Sequence, residues 1–271
     1  MVVSVITINY NNVLGLTRTI DSVLLQKYKD FEFIIIDGGS DDGSVDVIKN
    51  FQKNISYWVS EHDRGIYHAM NKGVLAAHGD YCVFMNSGDV FYDEYVLLNM
   101  QKYLGNVDIV IGRLLNSTTG DIIFPPPQRE ISLYYLYTGT VTHQSSFIKT
   151  DLLRKSPYDE EMRIAADWKF FLMSIIYQDC SVEFVPQMVA YFDMNGLSTS
   201  NPIDAWNEKI VLLDKLLPRR VLLDYIYMKQ SECLTQSLTS ELRIHYKIDK
   251  LLFHIGSILL RILNWRLNKD L

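Results

Sequence analysis

With 271 residues, 48% of them apolar and 21% charged, the chain has an ordinary globular composition and enough length to bury a full core. Its net charge of −6 lacks the basic profile of a nucleic-acid-binding protein, so no nucleic-acid partner is expected. Cys82, Cys180 and Cys233 are scattered, with no C-x-x-C pair, which argues for reduced thiols in a cytoplasmic protein over a zinc site or a disulfide framework.

In chain order, Val2–Ile8 is short and rich in β-branched residues and predicts a strand, broken by Asn9-Tyr10-Asn11-Asn12. Residues 14–26 place Leu16, Ile20, Val23 and Leu24 on one helical face. A second strand is expected over Glu32–Asp37, then a helix capped by Asp41-Asp42-Gly43-Ser44 that runs to about residue 52. Ile55–Val59 reads as a third strand, Gly65–Ala77 as a helix, and Asp80–Met85 as a fourth strand. A helix over 93–104 and a fifth strand over Val107–Ile111 follow. Such alternation with short joints is the signature of a mostly parallel sheet with helices on both faces. Thr118-Thr119-Gly120-Asp121 reads as a hairpin turn, and Pro125-Pro126-Pro127 as a linker or rim loop. A further strand is expected over 143–149, a helix from about Ala165 to Tyr177, and predominantly helical chain from about 203 onward. The apolar stretch Val2–Ile8 has no basic flank, so no secretory signal is expected. No window offers the ~20 apolar residues of a membrane span.

Two apolar runs end on a carboxylate beside small residues: Ile36-Asp37-Gly38-Gly39-Ser40-Asp41-Asp42 and Phe84-Met85-Asn86-Ser87-Gly88-Asp89. Ligands bind at the carboxyl ends of strands in open α/β sheets, so the two tips point to one cleft for a nucleotide and a metal ion. There is no G-x-x-x-x-G-K-[ST] loop, no G-x-G-x-x-G after the first strand and no G-x-S-x-G elbow. That argues against an ATPase, a dinucleotide oxidoreductase and an α/β-hydrolase. The first strand runs instead into Asn9, Tyr10 and Asn11, which offer side-chain amides and an aromatic ring.

These segments, together with Val5-Ile6-Thr7-Ile8-Asn9-Tyr10-Asn11 and the stretch from Ser60-Glu61-His62-Asp63-Arg64-Gly65 to Asn71-Lys72-Gly73, occur in order at characteristic intervals. With Thr142-His143-Gln144-Ser145, Ala165-Ala166-Asp167-Trp168 and Asn195-Gly196-Leu197-Ser198 they resemble the family 2 glycosyltransferases of the GT-A fold. The resemblance is to the bacterial branch that builds capsule, exopolysaccharide or O-antigen units, and it covers about residues 1–200. It implies a Rossmann-like GT-A domain over 1–200, with residues 201–271 as a helical extension. It also implies an inverting enzyme that moves a sugar from a nucleotide-diphosphate donor, a UDP-sugar foremost, to a hydroxyl of a lipid-linked glycan. The transferred unit would be a hexosyl or N-acetylhexosaminyl group.

By the same resemblance Asp37 hydrogen-bonds the nucleotide base, Asp63 lines that pocket and Arg64 lies near the phosphates. Asn9, Tyr10, Asn11, Asn71 and Ser87 belong to the donor site, and Gly39 and Gly88 let substrate approach the backbone. Asp89 is the expected ligand of a divalent metal, Mg2+ or Mn2+, although Asn86 and Gly88 occupy positions often held by Asp. His143 and Gln144 are placed to touch the diphosphate or the acceptor. Asp167 is the expected catalytic base, at a helix start that favours its ionised form, with Trp168 stacking on a sugar face. Two rivals remain: a sugar-nucleotide pyrophosphorylase, which needs a Gly-rich loop that Asn9-Tyr10-Asn11-Asn12 does not supply, and an inactive nucleotide-sugar-binding or scaffolding relative.

Residues 214–271 carry 10 Lys and Arg against 6 Asp and Glu. Within them an apolar stretch from Leu251 to Trp265 is punctuated by Lys250, Arg261, Arg266 and Lys269. Such a helix suits the inner face of the cell membrane, or it packs on protein.

Overall fold

The computed structural model describes residues 1–123, 130–193 and 201–231. The chain divides into two compact units, 1–215 and 216–271. Of the second, 216–231 are described, and 219–231 are helical. No helix among the described residues is long and apolar enough to cross a membrane. The apolar C-terminal stretch and the Asn195-Gly196-Leu197-Ser198 motif lie outside the described residues.

The first unit is built on strands β1 (Val3–Asn9), β2 (Phe31–Asp37), β3 (Tyr57–Ser60), β4 (Tyr81–Phe84), β5 (Val90–Phe91), β6 (Ile109–Asn116), β7 (Ile122–Ile123), β8 (Ser146–Lys149) and β9 (Val182–Phe192). They form one sheet in the order β3-β2-β1-β4-β8-β6-β9-β5, with β7 on β6. β3, β2, β1 and β4 run parallel, β8 is antiparallel to β4 and β6, and β9 is parallel to β6. β1 is buried along its whole length, as expected of a strand covered on both faces. Its inward polar group Thr7 is satisfied, since its hydroxyl donates to the Met85 carbonyl at 2.7 Å.

Helices α1 (Val13–Leu24), α2 (Ser44–Phe51), α3 (Ile66–Ala76), α4 (Val96–Met100), α5 (Leu133–Thr138), α6 (Thr150–Lys155), α7 (Ala166–Phe171) and α8 (Pro202–Leu216) complete it. Asn12 starts α1 by accepting from the Gly15 N–H at 3.1 Å. α3 lies against β1 and β2 at close range. A β carbon on Gly73 would sit 2.5 Å from Ile6 Cγ2.

The register aligns Asn9 with Asp37 and Asp37 with Ser60, so the carboxyl ends of β1, β2 and β3 finish level. The helix expected over 93–104 is shorter, because α4 ends at Met100 and a 3-10 turn covers Gln101–Tyr103. The strand expected over 143–149 begins only at Ser146, since His143–Ser145 form a 3-10 turn. α7 continues as a π turn over Leu172–Tyr177, and the expected turn at 118–121 joins β6 to β7. β9, like β5, α5 and α6, is an element that the sequence pattern does not announce. Its register against β6 jumps from Ile111↔Phe184 to Arg113↔Met188. Pro186, which lacks an N–H for the ladder, falls in that bulge.

Gly73→Ala should destabilise the protein by about 1–2 kcal/mol, because overpacking against Ile6 outweighs alanine's ~1 kcal/mol helix advantage. Urea unfolding checks this, and a stabilised variant would contradict the close packing.

Candidate active site

A cavity of about 620 Å³ opens at the carboxyl ends of the parallel strands. Its wall takes Asn9 and Tyr10 from the end of β1, Gly38 after β2, and Asp63 after β3. Asn86, Ser87 and Asp89 follow β4, and His143, Gln144, Asp167 and Asp193 close it. Of the residues singled out by sequence, Asn11, Asp37, Gly39, Arg64, Asn71, Gly88 and Trp168 do not line it.

Asp37 stands behind the wall. It is fully buried and accepts from Asn9 Nδ2 (2.7 Å), the Ser40 hydroxyl (2.6 Å) and the Ser60 hydroxyl (2.6 Å). The N–H groups of Gly39 (3.2 Å) and Ser40 (2.9 Å) also donate to it. Burial alone would raise its pKa, but the hydroxyl, amide and N–H donors win and hold it below the usual value. Its oxygens therefore shape the loop, and the group left at the cavity is its partner Asn9. Because Asn9 Nδ2 is committed to a carboxylate, its Oδ1 is fixed as an acceptor, buried and without a partner. Asn11 adopts φ 48° and ties the two loops together, accepting from the Asp41 N–H at 3.0 Å while its own N–H donates to Ser40 Oγ at 2.8 Å.

Asp63 Oδ2 is likewise buried without a partner, as is Asn86 Oδ1. Leaving such an acceptor unpaired costs about 1–3 kcal/mol, so three on one wall mark a surface made to receive N–H and O–H donors. Tyr10, 65% exposed, adds a ring face beside them. Arg64 points to Glu160, with which it forms an ion pair. Asn71 exchanges hydrogen bonds with the backbone of Tyr158 at 2.9 and 3.0 Å. Both brace the segment after α6.

After β4, Ser87 is held by Asn12 Nδ2, which donates to its carbonyl at 3.0 Å. Gly88 has φ 110°, and a β carbon there would lie 2.7 Å from Asp193 Oδ2. Glycine thus admits Asp193, whose N–H donates to Asp89 Oδ1 at 2.9 Å. Burial, reinforced by the Asp193 charge, pushes the Asp89 carboxyl up to about 7 against the opposing Asp193 N–H, His143 and Gln144. Two carboxylates facing one cavity match the oxygen donors of a hard divalent cation. Among the described residues no group of three or more His, Cys, Asp or Glu is arranged to hold a metal, so these two would supply only part of a shell.

At the other end, Asp167 Oδ2 meets His143 Nδ1 at 2.9 Å, and Asp167 Oδ1 accepts from the Trp168 N–H at 2.8 Å and the Tyr67 hydroxyl at 3.2 Å. His143 Nε2 lies 3.3 Å from Asn86 Nδ2. With Nδ1 donating to Asp167, Nε2 accepts from Asn86, and the chain of bonds closes. Burial would raise the Asp167 pKa, but His143, the Trp168 N–H and the Lys209 charge outweigh it and hold the carboxyl below its usual value. Trp168 is 1% exposed and donates its Nε1–H to the Leu136 carbonyl at 2.8 Å. It is a core anchor, and the sugar-stacking expectation is corrected accordingly.

The segment that leads into α7 is held from α8. Glu208 accepts from the N–H groups of Arg163 (2.9 Å), Ile164 (3.0 Å) and Ala165 (2.9 Å), the three residues just before the helix. Asp193 and Glu208 are absent from the sequence reading, and Tyr67 falls within its 60–73 stretch without an assigned role. Asp193 obeys the same rule that revealed Asp37, an apolar strand stopping on a carboxylate, but Pro186 disguises the strand.

The family model described as Glycosyl transferase family 2 matches residues 4–176. Over 203 residues, 73% of this chain and 77% of the relative, the sequence is 34% identical to an uncharacterized glycosyltransferase of Mycobacterium tuberculosis (strain H37Rv). It is 28% identical over 205 residues to the PGL/p-HBAD biosynthesis glycosyltransferase of Mycobacterium bovis, covering 73% and 79% of the two chains. The fold is similar to that of S. aureus TarS 1-349 in complex with UDP-GlcNAc, with a TM-score of 0.60 and 18% identity, over 71% of this chain and 58% of that one. It is also similar to the mannosyltransferase PcManGT of Pyrobaculum calidifontis in complex with GDP-Man and Mn2+, with a TM-score of 0.54 and 19% identity, over 71% and 56%. This chain thus spans less than two thirds of those solved structures. The chain belongs to glycosyl transferase family 2, with a GT-A fold, and is a glycosyltransferase.

Asp37→Asn should cost about 3 kcal/mol at pH 7, since it removes a buried charge that accepts five bonds. A carboxylate with a lowered native pKa stabilises above its unfolded value of about 3.9, and that stability is lost as pH falls through the native pKa. The gap between parent and variant in urea unfolding should therefore narrow toward about pH 3. An equal gap at both pH values would contradict the assignment.

Proposed function

We propose that the cavity binds a UDP-sugar and transfers the sugar, with inversion, to a hydroxyl of a lipid-linked glycan. The observation that carries this reading is that Asp63, Asp89 and Asp167, remote in sequence, line one cavity. The base lies at the Tyr10–Asp63 end, the diphosphate near Ser87 and Asp89, and the sugar toward Asp167. Solved neighbours that hold UDP-GlcNAc and GDP-Man support a nucleotide-sugar donor, and the relative named for PGL/p-HBAD biosynthesis supports a role in building surface glycans. A hexosyl or N-acetylhexosaminyl unit, and work at the inner face of the membrane, complete the proposal.

Transfer is one displacement. The acceptor oxygen bonds to the anomeric carbon from the face opposite the diphosphate, the anomeric C–O bond breaks, and its electron pair leaves with the diphosphate. The acceptor proton passes to Asp167. Held ionised, this carboxylate is a weak base, so the proton moves only as the new bond forms. His143 fixes its orientation. Asp89 and Asp193 would hold Mg2+ or Mn2+, with donor phosphates filling the shell. Such an ion neutralises the leaving diphosphate.

Asp167→Asn should keep UDP affinity within about threefold and lower transfer at least about a hundredfold. Transfer at the parental rate would show that the base is elsewhere. Chelation by EDTA should weaken UDP binding about tenfold, with recovery on adding Mn2+ or Mg2+. Calorimetric affinity that ignores EDTA would rule out the metal role.

A further inference from the structure

The donor-site reading above is the premise for an inference about which base that site accepts. The two carboxylate oxygens of Asp63 stand in different surroundings. Oδ1 lies 2.6 Å from Lys72 Nζ and 3.0 Å from His68 Nδ1. Oδ2 has no partner, although the side chain is only 9% exposed. His68 and Lys72 are four residues apart on α3, so they reach the same oxygen from one helix face. Lys72 is held from its other side by Glu61 at 2.9 Å. A β carbon on Gly38 would lie 3.1 Å from Tyr10 Cδ2 and 3.5 Å from Asp63 Oδ2. Glycine at this position therefore lets the Tyr10 ring and the Asp63 acceptor stand side by side on the cavity wall.

We propose that Lys72 is a specificity-positioning residue: by occupying Oδ1 it leaves Asp63 one acceptor, which selects a base with a single ring N–H, uracil. The pairing edge of uracil carries one N–H between two carbonyls, matching a single acceptor. Guanine presents two adjacent N–H donors and calls for both carboxylate oxygens, one of which Lys72 holds. Cytosine and adenine present a ring nitrogen lone pair at that position, which meets the lone pairs of Oδ2 and is repelled. A site built around one buried hydrogen bond rejects ligands that leave it unmade.

The test is calorimetric titration of the full chain with UDP, CDP, GDP and ADP in the presence of Mn2+. The parent should bind UDP at least about tenfold more tightly than the other three. In Asp63→Asn, Lys72 keeps the amide oxygen at the Oδ1 place and leaves the NH2 at the Oδ2 place, so preference should invert to CDP over UDP. In the double variant His68→Leu/Lys72→Met both partners leave Oδ1, and the UDP-to-GDP affinity ratio should fall about tenfold. A purely structural role for this pair would weaken all four nucleotides alike and leave that ratio unchanged. That outcome, a parent that binds GDP as tightly as UDP, or an Asp63→Asn variant that still prefers UDP to CDP, overturns the proposal. If the parent binds none of the four, the donor-site reading itself fails and this inference falls with it.

Discussion

Five N–H and O–H donors converge on the buried Asp37 carboxylate, drawn from the end of β1, the loop after β2 and the end of β3. A charge taken out of water needs such partners, and supplying them fixes where three strand ends stop. The wall of the cavity is a consequence. Asn9 is turned so that its amide oxygen Oδ1 is left as a buried acceptor at the cavity wall, and Glu61, whose N–H donates to the Asp37 carbonyl at 3.0 Å, starts the turn that carries Asp63.

Farther along the cavity the acidic groups are driven in opposite directions by their surroundings. Asp89 is buried beside a second carboxylate and is pushed up to about 7. Asp167 is buried beside a histidine and held low. Environments that separate like groups in this way assign them different work. On the proposed reading, Asp89 would meet positive charge from a ligand, and Asp167 would take the proton of an acceptor hydroxyl. The Glu208 grip on the N–H groups of residues 163–165 sets the second of these in place. That grip ties α8 to the segment that carries Asp167 and places most of it in the first compact unit, which runs to residue 215, whereas the sequence reading ends that domain at residue 200.

The sheet was legible because β1 and β2 are short, apolar and rich in β-branched residues, because β4 is short and apolar, and because each stops at polar or small residues. The cavity was legible for the same reason, since strand tips in such a sheet converge. What the pattern did not reveal were features set by distant parts of the chain. Asp37 carries the expected motif, but the hydroxyls of Ser40 and Ser60 consume its oxygens, and the Ser60 contact is a fact of register that only β2–β3 pairing supplies. Trp168 follows Asp167, yet helical geometry sends it into the core toward Leu136. Asp193 joins Asp89 only because β9 runs beside both β5 and β6, and Pro186 hides that strand from a periodicity search.

The central claim is that a nucleotide lies along this cavity with its base against Tyr10 and its anomeric end toward Asp167. A crystal structure with UDP and Mn2+ bound tests it most directly. The account predicts the uracil against the exposed face of the Tyr10 ring, its N3–H donating to Asp63 Oδ2, and the β-phosphate beside Asp89. A base seated against Asp37, or a diphosphate bound away from Asp89 and Asp193, would contradict it.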